Sequence, residues 1–544
     1  MSVPSIQISS ISKKSIIPLP EDCTYEIIQQ LPEDTSTLHK FLFVNRFWCK
    51  CIISILWKIP FNKINENKIK QTRLIHTYLG CLDEEEKNYI EKDNLFNLPL
   101  IKKPFFNYAR YLVRFTISEL DSSVRAWYDN YMELKYERII KCIMNSIYHL
   151  FIRSNNNHLV SLEFKKDWTH SWSWEKVLQD NIKLSSIKKL NIELHEDLEE
   201  DGDYILSDLK FYNILLSRCN YLQSLKIYFK THSKNYFKYF SSNQIIKMIQ
   251  VQKNLQILNI SNFYQYGLEL TKIISSLSSQ INSLKELQFI EVNFTNCSLI
   301  GLKICLNLDS LSFTSCNGLT IDHINSLSNS SFKLKSLYFY DQTTIYQNII
   351  TKILSLFGNS LTKFGTSLLT DFVIETTSIR CSNIKYLSII IENDDLLHHK
   401  IFHWIYNLEL LELDITIYIR DTYEFFKLLG KNLPITLKIL KLSCHYISHN
   451  SLRNLFSSRV NLERLIFRNS YEFTYDCLMV IYEYIRYYEN FKELTFKTYK
   501  KEWSLRDLKV LKEIKKYCPL VNCEFGISTV EEMLDECILE DFLF

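Results

Sequence analysis

The sequence predicts an α/β solenoid, with a parallel sheet on its concave side and helices on its convex side, preceded by three short helices. Three observations indicate this fold. A short apolar pattern recurs from residue 159 onward at steps of 23 to 35 residues. Helix-like segments separate successive copies of the pattern. Seven of the nine prolines lie before residue 105, so the front of the chain is built differently from the rest.

The composition excludes several classes of protein. The net charge is +3 in 544 residues, with charges of both signs well mixed, which leaves no broad basic surface for a nucleic acid or a membrane. The nine glycines never take the spacing of a phosphate-binding GxGxxG or GxxxxGK loop. The zinc-binding HExxH and the nucleophile elbow GxSxG are absent as well. The sequence therefore predicts no catalytic residue, no metal site and no cofactor.

The cysteines and the apolar segments bear on location. Fifteen cysteines are scattered along the chain without a CxxC pair, and the N-terminus lacks the apolar core of a signal peptide. Uncharged stretches reach only about a dozen residues, short of the roughly 20 that a membrane helix needs. We expect a protein of the cytoplasm or nucleus with buried thiols and no membrane partner.

The recurring pattern is L-x-x-L-x-[LIF], at about the period of leucine-rich repeats. Its last two apolar positions alternate with polar ones, which is typical of a short strand with one buried face. A copy cannot bury that face alone, but stacked copies can. The fourteen copies, of which the eighth is degraded, begin at Leu159, Ile187, Leu222, Leu255, Leu284, Leu308, Leu334, Leu361, Ile384, Leu408, Leu437, Leu462, Phe491 and Leu520.

The segments between copies predict helices that return the chain. The stretch "SNQIIKMIQ" places Ile245, Ile246 and Ile249 on one helical face. The stretch "SLRNLFSSRV" likewise places Leu452, Leu455 and Phe456 on one face. Parallel strands alternating with helices at this period form a curved solenoid.

The opening segment predicts three short helices. Pro20 suits the first turn of a helix, and Pro32 ends that helix because the residue before a proline is pushed out of the helical region. Asp34 can cap a second helix. Trp48 and Ile52 lie on one face of a third. Three helices in about 40 residues make a small core, so some apolar surface, including Leu19, Ile28 and Trp48, is expected to await a partner.

The stretch "LPEDCTYEIIQQL…TLHKFLFVNRFWCKCIISILW" resembles an F-box. In one departure from the usual pattern, an acid, Glu21, follows the proline directly, and Asp22 takes the customary acidic place. The matching residues are Leu19, Pro20, Ile28, Leu31, Val44, Arg46 and Trp48. The resemblance implies that an adaptor protein binds Leu19, Pro20, Ile28, Leu31, Val44 and Trp48.

The resemblance extends beyond this segment. The run from Leu308 to Thr320 is similar to the cysteine-containing leucine-rich repeats of F-box proteins, in which the cysteine, here Cys316, is a packed core residue. The region up to about residue 117 resembles an expanded group of F-box proteins in mycorrhizal fungi. Together these features divide the chain into an F-box at 17–58, a helical connector and cap at 59–150, and about fourteen repeats at 151–544.

Two segments of the connector predict a helix and a strand. "MELKYERIIKCIMNSIYHLF" reads as an amphipathic helix that caps the open end of the solenoid. Leu112, Phe115 and Ile117 have the spacing of a first, atypical strand.

The family resemblance implies a function. F-box proteins with leucine-rich repeats are substrate-recognition subunits of SCF cullin–RING ubiquitin ligases, which mark proteins for proteasomal degradation. The F-box binds a Skp-type adaptor, which links to the cullin and RING subunits, and the repeats bind a target protein. Such a chain performs no catalysis itself. The alternative is a leucine-rich-repeat interaction scaffold that acts outside a ubiquitin ligase.

A candidate target-binding patch lies on the predicted concave face. Residues flanking the buried positions of each strand face that side, and there the chain offers Tyr338, Tyr340 and Tyr386. Tyrosine is a good interface anchor because it joins apolar area to a hydrogen-bonding end. The plainer interpretation is that these are ordinary strand residues, since aromatics favour strands.

One other pattern has the spacing of a metal site. His399 and His403 lie one helical turn apart, with Asp394 and Asp395 nearby. No acid lies between the histidines in the arrangement of a zinc protease. The stretch also falls where a repeat helix is expected, which favours a structural role.

Overall fold

The computed structural model shows a long curved sheet with helices packed on one side. It describes residues 20–29, 35–61, 67–91, 98–131, 137–154, 159–165, 184–195, 215, 217–230, 242–263, 267–340, 347–392, 399–418, 422–458, 460–468, 473–488, 490–497 and 503–523.

The sheet contains fourteen strands in this described part, in the order in which they occur along the chain, and all neighbours are parallel. Each strand coincides with one copy of the sequence pattern, which confirms the predicted α/β solenoid. The strands are β1 (Ser161–Lys165), β2 (Lys189–His195), β3 (Ser224–Lys230), β4 (Ile257–Ser261), β5 (Glu286–Ile290), β6 (Ser310–Thr314), β7 (Ser336–Tyr340), β8 (Lys363–Thr366), β9 (Tyr386–Ile391), β10 (Glu412–Ile417), β11 (Ile439–Cys444), β12 (Arg464–Arg468), β13 (Glu493–Lys497) and β14 (Leu520–Cys523).

The inward faces of the strands form continuous apolar rows. Leu287, Leu311 and Leu337 are paired in register on β5, β6 and β7, and all are fully buried. Phenylalanines two residues further on stack from strand to strand, with ring centroids 5.8 and 5.2 Å apart. The core therefore runs along the sheet, and each repeat depends on its neighbours for burial.

Non-glycine residues in the left-handed conformation follow three successive strands. Asn262, Glu291 and Ser315 have φ values of 58°, 54° and 49°. Each donates its backbone N–H to the last carbonyl of the next strand, at 2.8 to 2.9 Å. The hydrogen bond extends the ladder by one residue and offsets the cost of this conformation.

The helices pack on the convex side, as predicted for the segments around Ile245 and Leu452. None of the helices in the described part is long and apolar enough to cross a membrane. Seven helices of the described part precede the sheet, and those on the convex side follow as α8 (Ser242–Gln250), α9 (Gly267–Ser276), α10 (Ile321–Asn325), α11 (Gln347–Phe357), α12 (Asp371–Arg380), α13 (His399–Asn407), α14 (Thr422–Asn432), α15 (His449–Leu455), α16 (Tyr475–Tyr487) and α17 (Leu505–Lys515).

Buried polar side chains link consecutive repeats. The Gln252 side-chain oxygen accepts a hydrogen bond from the Leu222 amide at 2.9 Å, one repeat earlier. The Tyr484 hydroxyl takes the same place further along and accepts from the Leu462 amide at 3.1 Å. These amides belong to the first residue of a copy, which lies outside the strand ladder. The side chains satisfy donors that would otherwise be buried without a partner.

The strand register corrects two of the predicted copies. In the last copy, Val521 pairs with Leu494 of β13, so the first position is Cys518, which is fully buried. The assignment to Leu520, which is 46% exposed, is wrong by two residues.

The tenth copy is shifted in the same way. Leu413 pairs with Leu387 of β9, so Leu413 is the second apolar position of its copy. The first position is therefore Leu410, which is fully buried, and the assignment to Leu408 is wrong by two residues. Leu411, which that assignment placed in the core, is 44% exposed.

A recurring side-chain hydrogen bond supports the corrected register. The Thr436 hydroxyl donates to the carbonyl of Leu410 at 2.8 Å, as the Ser360 hydroxyl donates to the carbonyl of Leu334, the first residue of another copy, at 2.6 Å. With this register, the steps on either side of the tenth copy become 26 and 27 residues.

The first three helices form a small core of their own. They are α1 (Glu21–Gln29), α2 (Thr35–Phe41) and α3 (Arg46–Leu56). Ile28, Leu38 and Ile52, one from each helix, are buried together and apart from the core of the sheet. Asn45 caps α3 by accepting a hydrogen bond from the Trp48 amide at 2.9 Å.

The next four helices pack against the start of the sheet. They are α4 (Lys68–Gly80), α5 (Glu84–Glu91), α6 (Ile117–Tyr131) and α7 (Glu137–Arg153), and their apolar residues belong to the same core as the strands. The helix predicted from "MELKYERIIKCIMNSIYHLF" is thus present as α7. Its Tyr148 hydroxyl donates to the carbonyl of Glu163 on β1 at 2.8 Å.

A buried carboxylate fastens α5 to α7. Glu86, 6% exposed, contacts the His149 Nδ1 at 2.8 Å and accepts two hydrogen bonds from the Arg153 guanidinium at 2.7 and 2.9 Å. Burial alone would raise the pKa of Glu86, but the hydrogen bonds outweigh it and hold the pKa below its usual value.

The atypical strand expected at residues 112–117 does not form. Leu112 and Phe115 are buried as expected, but Ile117 is the first residue of α6. The segment still borders the sheet, because the carbonyl of Val113 accepts a hydrogen bond from the Val160 amide at 2.9 Å. The apolar spacing thus reports burial, while the onset of α6 prevents a strand.

Candidate functional site

The three tyrosines singled out from the sequence lie together on the concave face. The Tyr338 ring stacks against Tyr340 with centroids 5.9 Å apart, and it meets Tyr386 edge-on at 6.4 Å. All three are half-buried. We call Tyr338, Tyr340 and Tyr386 the tyrosine patch. Since the rings support one another, the patch presents a fixed aromatic surface.

A glycine in the degraded repeat makes room for these rings. Gly365 on β8 pairs with Tyr338 on one side and with Ser388 of β9 on the other. A Cβ atom at Gly365 would lie 2.5 Å from Cδ1 of Tyr338 and closer still to the hydroxyl of Tyr340. Both rings therefore lean over β8, in space that any other residue would fill.

The tyrosine hydroxyls remain protonated at neutral pH. Burial, together with the nearby Glu286 and Glu412 carboxylates, raises the pKa of Tyr338 to about 12. Burial is also the main cause that places the pKa of Tyr340 and Tyr386 above the usual value. The patch can thus donate hydrogen bonds as well as provide apolar area.

Ion pairs flank the patch on its C-terminal side. Asp414 on β10 is 7% exposed and pairs with Arg468 on β12 at 3.0 Å. Glu412 pairs with Lys441, whose ammonium also lies 5.8 Å from the centre of the Tyr386 ring. These contacts fix the charged side chains of this face against the sheet.

A chain of hydrogen bonds approaches from the N-terminal side. The Ser261 hydroxyl donates to Asn259, and the Asn259 amide donates to Gln288 at 2.8 Å. The Gln288 amide then donates to the carboxylate of Glu286. Each donor in this series of hydrogen bonds points towards the Glu286 carboxylate, which is the last acceptor. These polar residues were not singled out from the sequence, because only the strand register brings them into line.

The first three helices carry a second apolar surface. Phe43 and Val44, in the turn between α2 and α3, are 88% and 54% exposed. Tyr25 and Ile27 on α1 are 44% and 45% exposed. We call these four residues the N-terminal apolar surface, and Pro20 beside it is exposed too. Exposure on this scale in so small a unit is typical of a site that a partner covers.

The residues predicted to contact an adaptor differ in how exposed they are. Val44 is exposed, and Trp48 is half-buried against Phe41, with ring centroids 5.1 Å apart. Ile28 is 1% exposed, so the expectation that it is left open for a partner is wrong. It lies on the inner side of α1, and its neighbour Ile27 is the exposed one. Leu19 and Leu31 lie outside the described residues.

Cys316 is the core residue that the sequence predicted. It is 1% exposed, and its thiol lies 3.4 Å from the carbonyl of Phe289. Burial raises the pKa of the Cys316 thiol to about 11, so the thiolate is scarce at neutral pH.

The histidine pair lies on a repeat helix, as expected. His399 and His403 belong to α13, and His403 is exposed. Asp394 and Asp395 lie outside the described residues. Within the described part, no three His, Cys, Asp or Glu side chains are grouped so as to hold a metal ion.

Comparisons with known proteins give a distant structural likeness. No protein-family model matches the chain, and no curated protein matches it. A crystal structure of the Rad7 and Elc1 complex in yeast is similar to it at 13% sequence identity, over 82% of this chain and 90% of that one, with a TM-score of 0.34. A likeness this distant leaves the function to be argued from the chain's own residues.

Proposed function

We propose that this chain is the substrate-recognition subunit of an SCF-type cullin–RING ubiquitin ligase. One observation carries the proposal. A three-helix unit with F-box-like residues and a core of its own precedes a solenoid that has a separate, continuous core. Two units with separate cores and separate exposed surfaces suit a protein that joins two partners.

The N-terminal apolar surface is the proposed contact for a Skp-type adaptor. Phe43 and Val44 project from a turn, where a partner can reach them without unfolding a helix. Trp57, directly after α3, stacks on Tyr108 with centroids 4.1 Å apart, which fixes α3 to the connector. An adaptor bound to the helices would therefore be held in a defined place relative to the start of the sheet.

The concave face is the proposed contact for a target protein, with the tyrosine patch as part of it. The chain itself would make and break no bonds. Its contribution would be to hold the target near a ubiquitin-loaded enzyme recruited through the adaptor and the cullin. Such tethering raises the effective concentration of the target lysine to about millimolar for a flexible link.

Co-purification with a Skp-type adaptor tests the proposal. We expect the wild-type chain to retain the adaptor and a Phe43→Asp, Val44→Asp variant to lose it, because two carboxylates on the apolar surface oppose desolvation. Ile379→Asp is the matched control, since Ile379 is 77% exposed on the convex helix α12. A folded wild-type chain that retains no adaptor would leave a leucine-rich-repeat scaffold outside a ubiquitin ligase.

A further inference from the structure

A shallow strip of small side chains lies beside the tyrosine patch. Ser310 and Ser312 on β6 face the concave side, with Ser336 next to them on β7. We call these three residues the serine strip. Its walls are Glu286 on β5, which pairs with Ser310, and Tyr338 on β7, which pairs with Ser312; the exposed Lys363 on β8 pairs with Ser336. Since strands lie about 4.8 Å apart, the two walls of the strip rise roughly 10 Å apart.

The tyrosine rings lean over β8, away from the two serines on β6, while the Tyr338 hydroxyl interacts with Ser336. Tyr338 is attached to β7, but its ring lies over Gly365 on β8. Tyr340 leans the same way, since its hydroxyl would lie even closer to a Cβ atom at Gly365. Gly365 leaves room for the two tyrosine rings over β8. The small serine side chains on β6 leave a gap beside those rings.

Glu286 differs from the other carboxylates on this face. On β5 to β13, Glu412, Asp414 and Glu493 each form an ion pair with a lysine or arginine of this chain. Among the described residues no such cation reaches Glu286, which accepts only from the Gln288 amide. Glu286 is half-buried, so neither protein groups nor water fully compensate the negative charge of its carboxylate.

We propose that the serine strip binds an arginine or lysine side chain of the target, with the cation at Glu286 and the stem against Tyr338. This inference rests on the proposed use of the concave face to hold a target. The carboxylate supplies a charge-assisted hydrogen bond, and the ring supplies apolar contact and attraction for a cation. The serine hydroxyls offer further acceptors on the floor of the strip.

Other side chains fit the strip less well. A carboxylate or a phosphate would be repelled by Glu286. An apolar side chain would remove water from that carboxylate without a new partner, which is unfavourable. The same face already shows the preferred combination, because Lys441 of this chain lies over Tyr386 while it pairs with Glu412.

Selection from a random peptide library displayed on phage tests the proposal without knowledge of the target. The full-length chain is used as wild type, as Glu286→Gln and as Glu493→Gln. Glutamine keeps an oxygen for the Gln288 amide but removes the charge. Glu493 is the control, since it already pairs with Arg464 at 3.5 Å.

We expect arginine and lysine to be enriched in peptides selected by the wild type and by Glu493→Gln, and not in those selected by Glu286→Gln. The best basic peptide should bind Glu286→Gln about tenfold more weakly, and its affinity should fall with added salt. Replacing its basic residue by citrulline should cost a similar factor. A lack of enrichment with the wild type, or equal enrichment with Glu286→Gln, would overturn the proposal.

A second variant tests the role of the gap. Gly365→Ala forces the rings of Tyr338 and Tyr340 out of their place, so the selected basic peptide should bind more weakly although Glu286 is intact. Unchanged binding would contradict an open strip maintained by Gly365. Adaptor binding measured on the same preparations separates the two proposals, because Glu286 lies far along the chain from the N-terminal helices. A variant that still binds the adaptor but no longer prefers basic peptides has lost only its recognition of the target.

Discussion

The Arg468 guanidinium on β12 donates a hydrogen bond to the Asp414 carboxylate on β10 at 3.0 Å, across the strand between them. Arg468→Met keeps much of the side-chain length but leaves Asp414 buried without its cation. We expect it to lower the free energy of unfolding by about 1–3 kcal/mol. Urea unfolding followed by circular dichroism measures the change. Arg464→Met is the control, since Arg464 is 50% exposed, and an equal loss there would contradict the account.

The same carboxylate gives a pH dependence of known sign. Burial raises the pKa of Asp414, against the lowering effect of Arg468. The folded chain therefore binds the proton more tightly, so this contribution to stability is complete below the unfolded pKa of 3.8 and is lost as the pH rises through the higher folded value. Asp414→Asn removes the titration. Relative to that variant, the wild type should lose stability as the pH rises through this window, and a constant difference in urea midpoint would contradict the prediction.

Glu86 should give a pH dependence of stability with the opposite sign. Its pKa is lowered in the folded chain, so its stabilising contribution is present above the unfolded pKa of 4.5 and is lost as the pH falls through the folded value. Glu86→Gln should lower the free energy of unfolding by about 2–3 kcal/mol at neutral pH, because Arg153 loses a buried charged partner. The deficit should shrink in acid. Glu84→Gln is the control, as Glu84 is 84% exposed in its pair with Lys87, and it should change little.

Leu410 and Leu411 give a matched pair for the register of β10. Leu410→Ala should cost about 2–5 kcal/mol, since it leaves a cavity in the core. Leu411→Ala should stay within about 0.5 kcal/mol, since that side chain is 44% exposed. Thermal unfolding of the two variants compares them directly. A larger loss for Leu411→Ala would restore the register that begins at Leu408.

Gly365→Ala also has a consequence for stability. The new methyl group meets the rings of Tyr338 and Tyr340, and overpacking of this kind costs about 1–3 kcal/mol. Tyr340→Ala removes the closest contact, so the double variant should be more stable than the sum of the single changes predicts. Additive losses in urea unfolding would mean that the tyrosines do not occupy the space over Gly365.

The repeat pattern predicted the sheet because burial dominates there. Leu287 and Leu311 lie in identical surroundings one repeat apart, and alternation alone assigns both to the core. In the tenth copy, leucines at 408, 410, 411 and 413 satisfy two registers equally well. Only pairing with β9 and β11 decides between them, and that information is not local.

The sites were predictable only in part, for similar reasons. The tyrosines at 338, 340 and 386 follow from strand alternation, but the direction in which they lean depends on Gly365, which the sequence presented merely as part of a degraded copy. Ile28 and Ile27 are adjacent and equally apolar, and a short helix does not show which of them faces inward until its neighbours are placed. The pattern within one helix or strand therefore predicts which of its residues are buried. Contacts between elements determine which residues form the exposed surfaces.

Titration calorimetry with a purified Skp-type adaptor tests the central claim most directly. The account predicts saturable binding of one adaptor per folded wild-type chain, with a dissociation constant of about 1 μM or tighter, as a specific interface provides. It predicts loss of that binding in Phe43→Asp, Val44→Asp and retention in Ile379→Asp. No heat of binding to a wild-type chain whose circular dichroism shows it folded would contradict the ligase-subunit account.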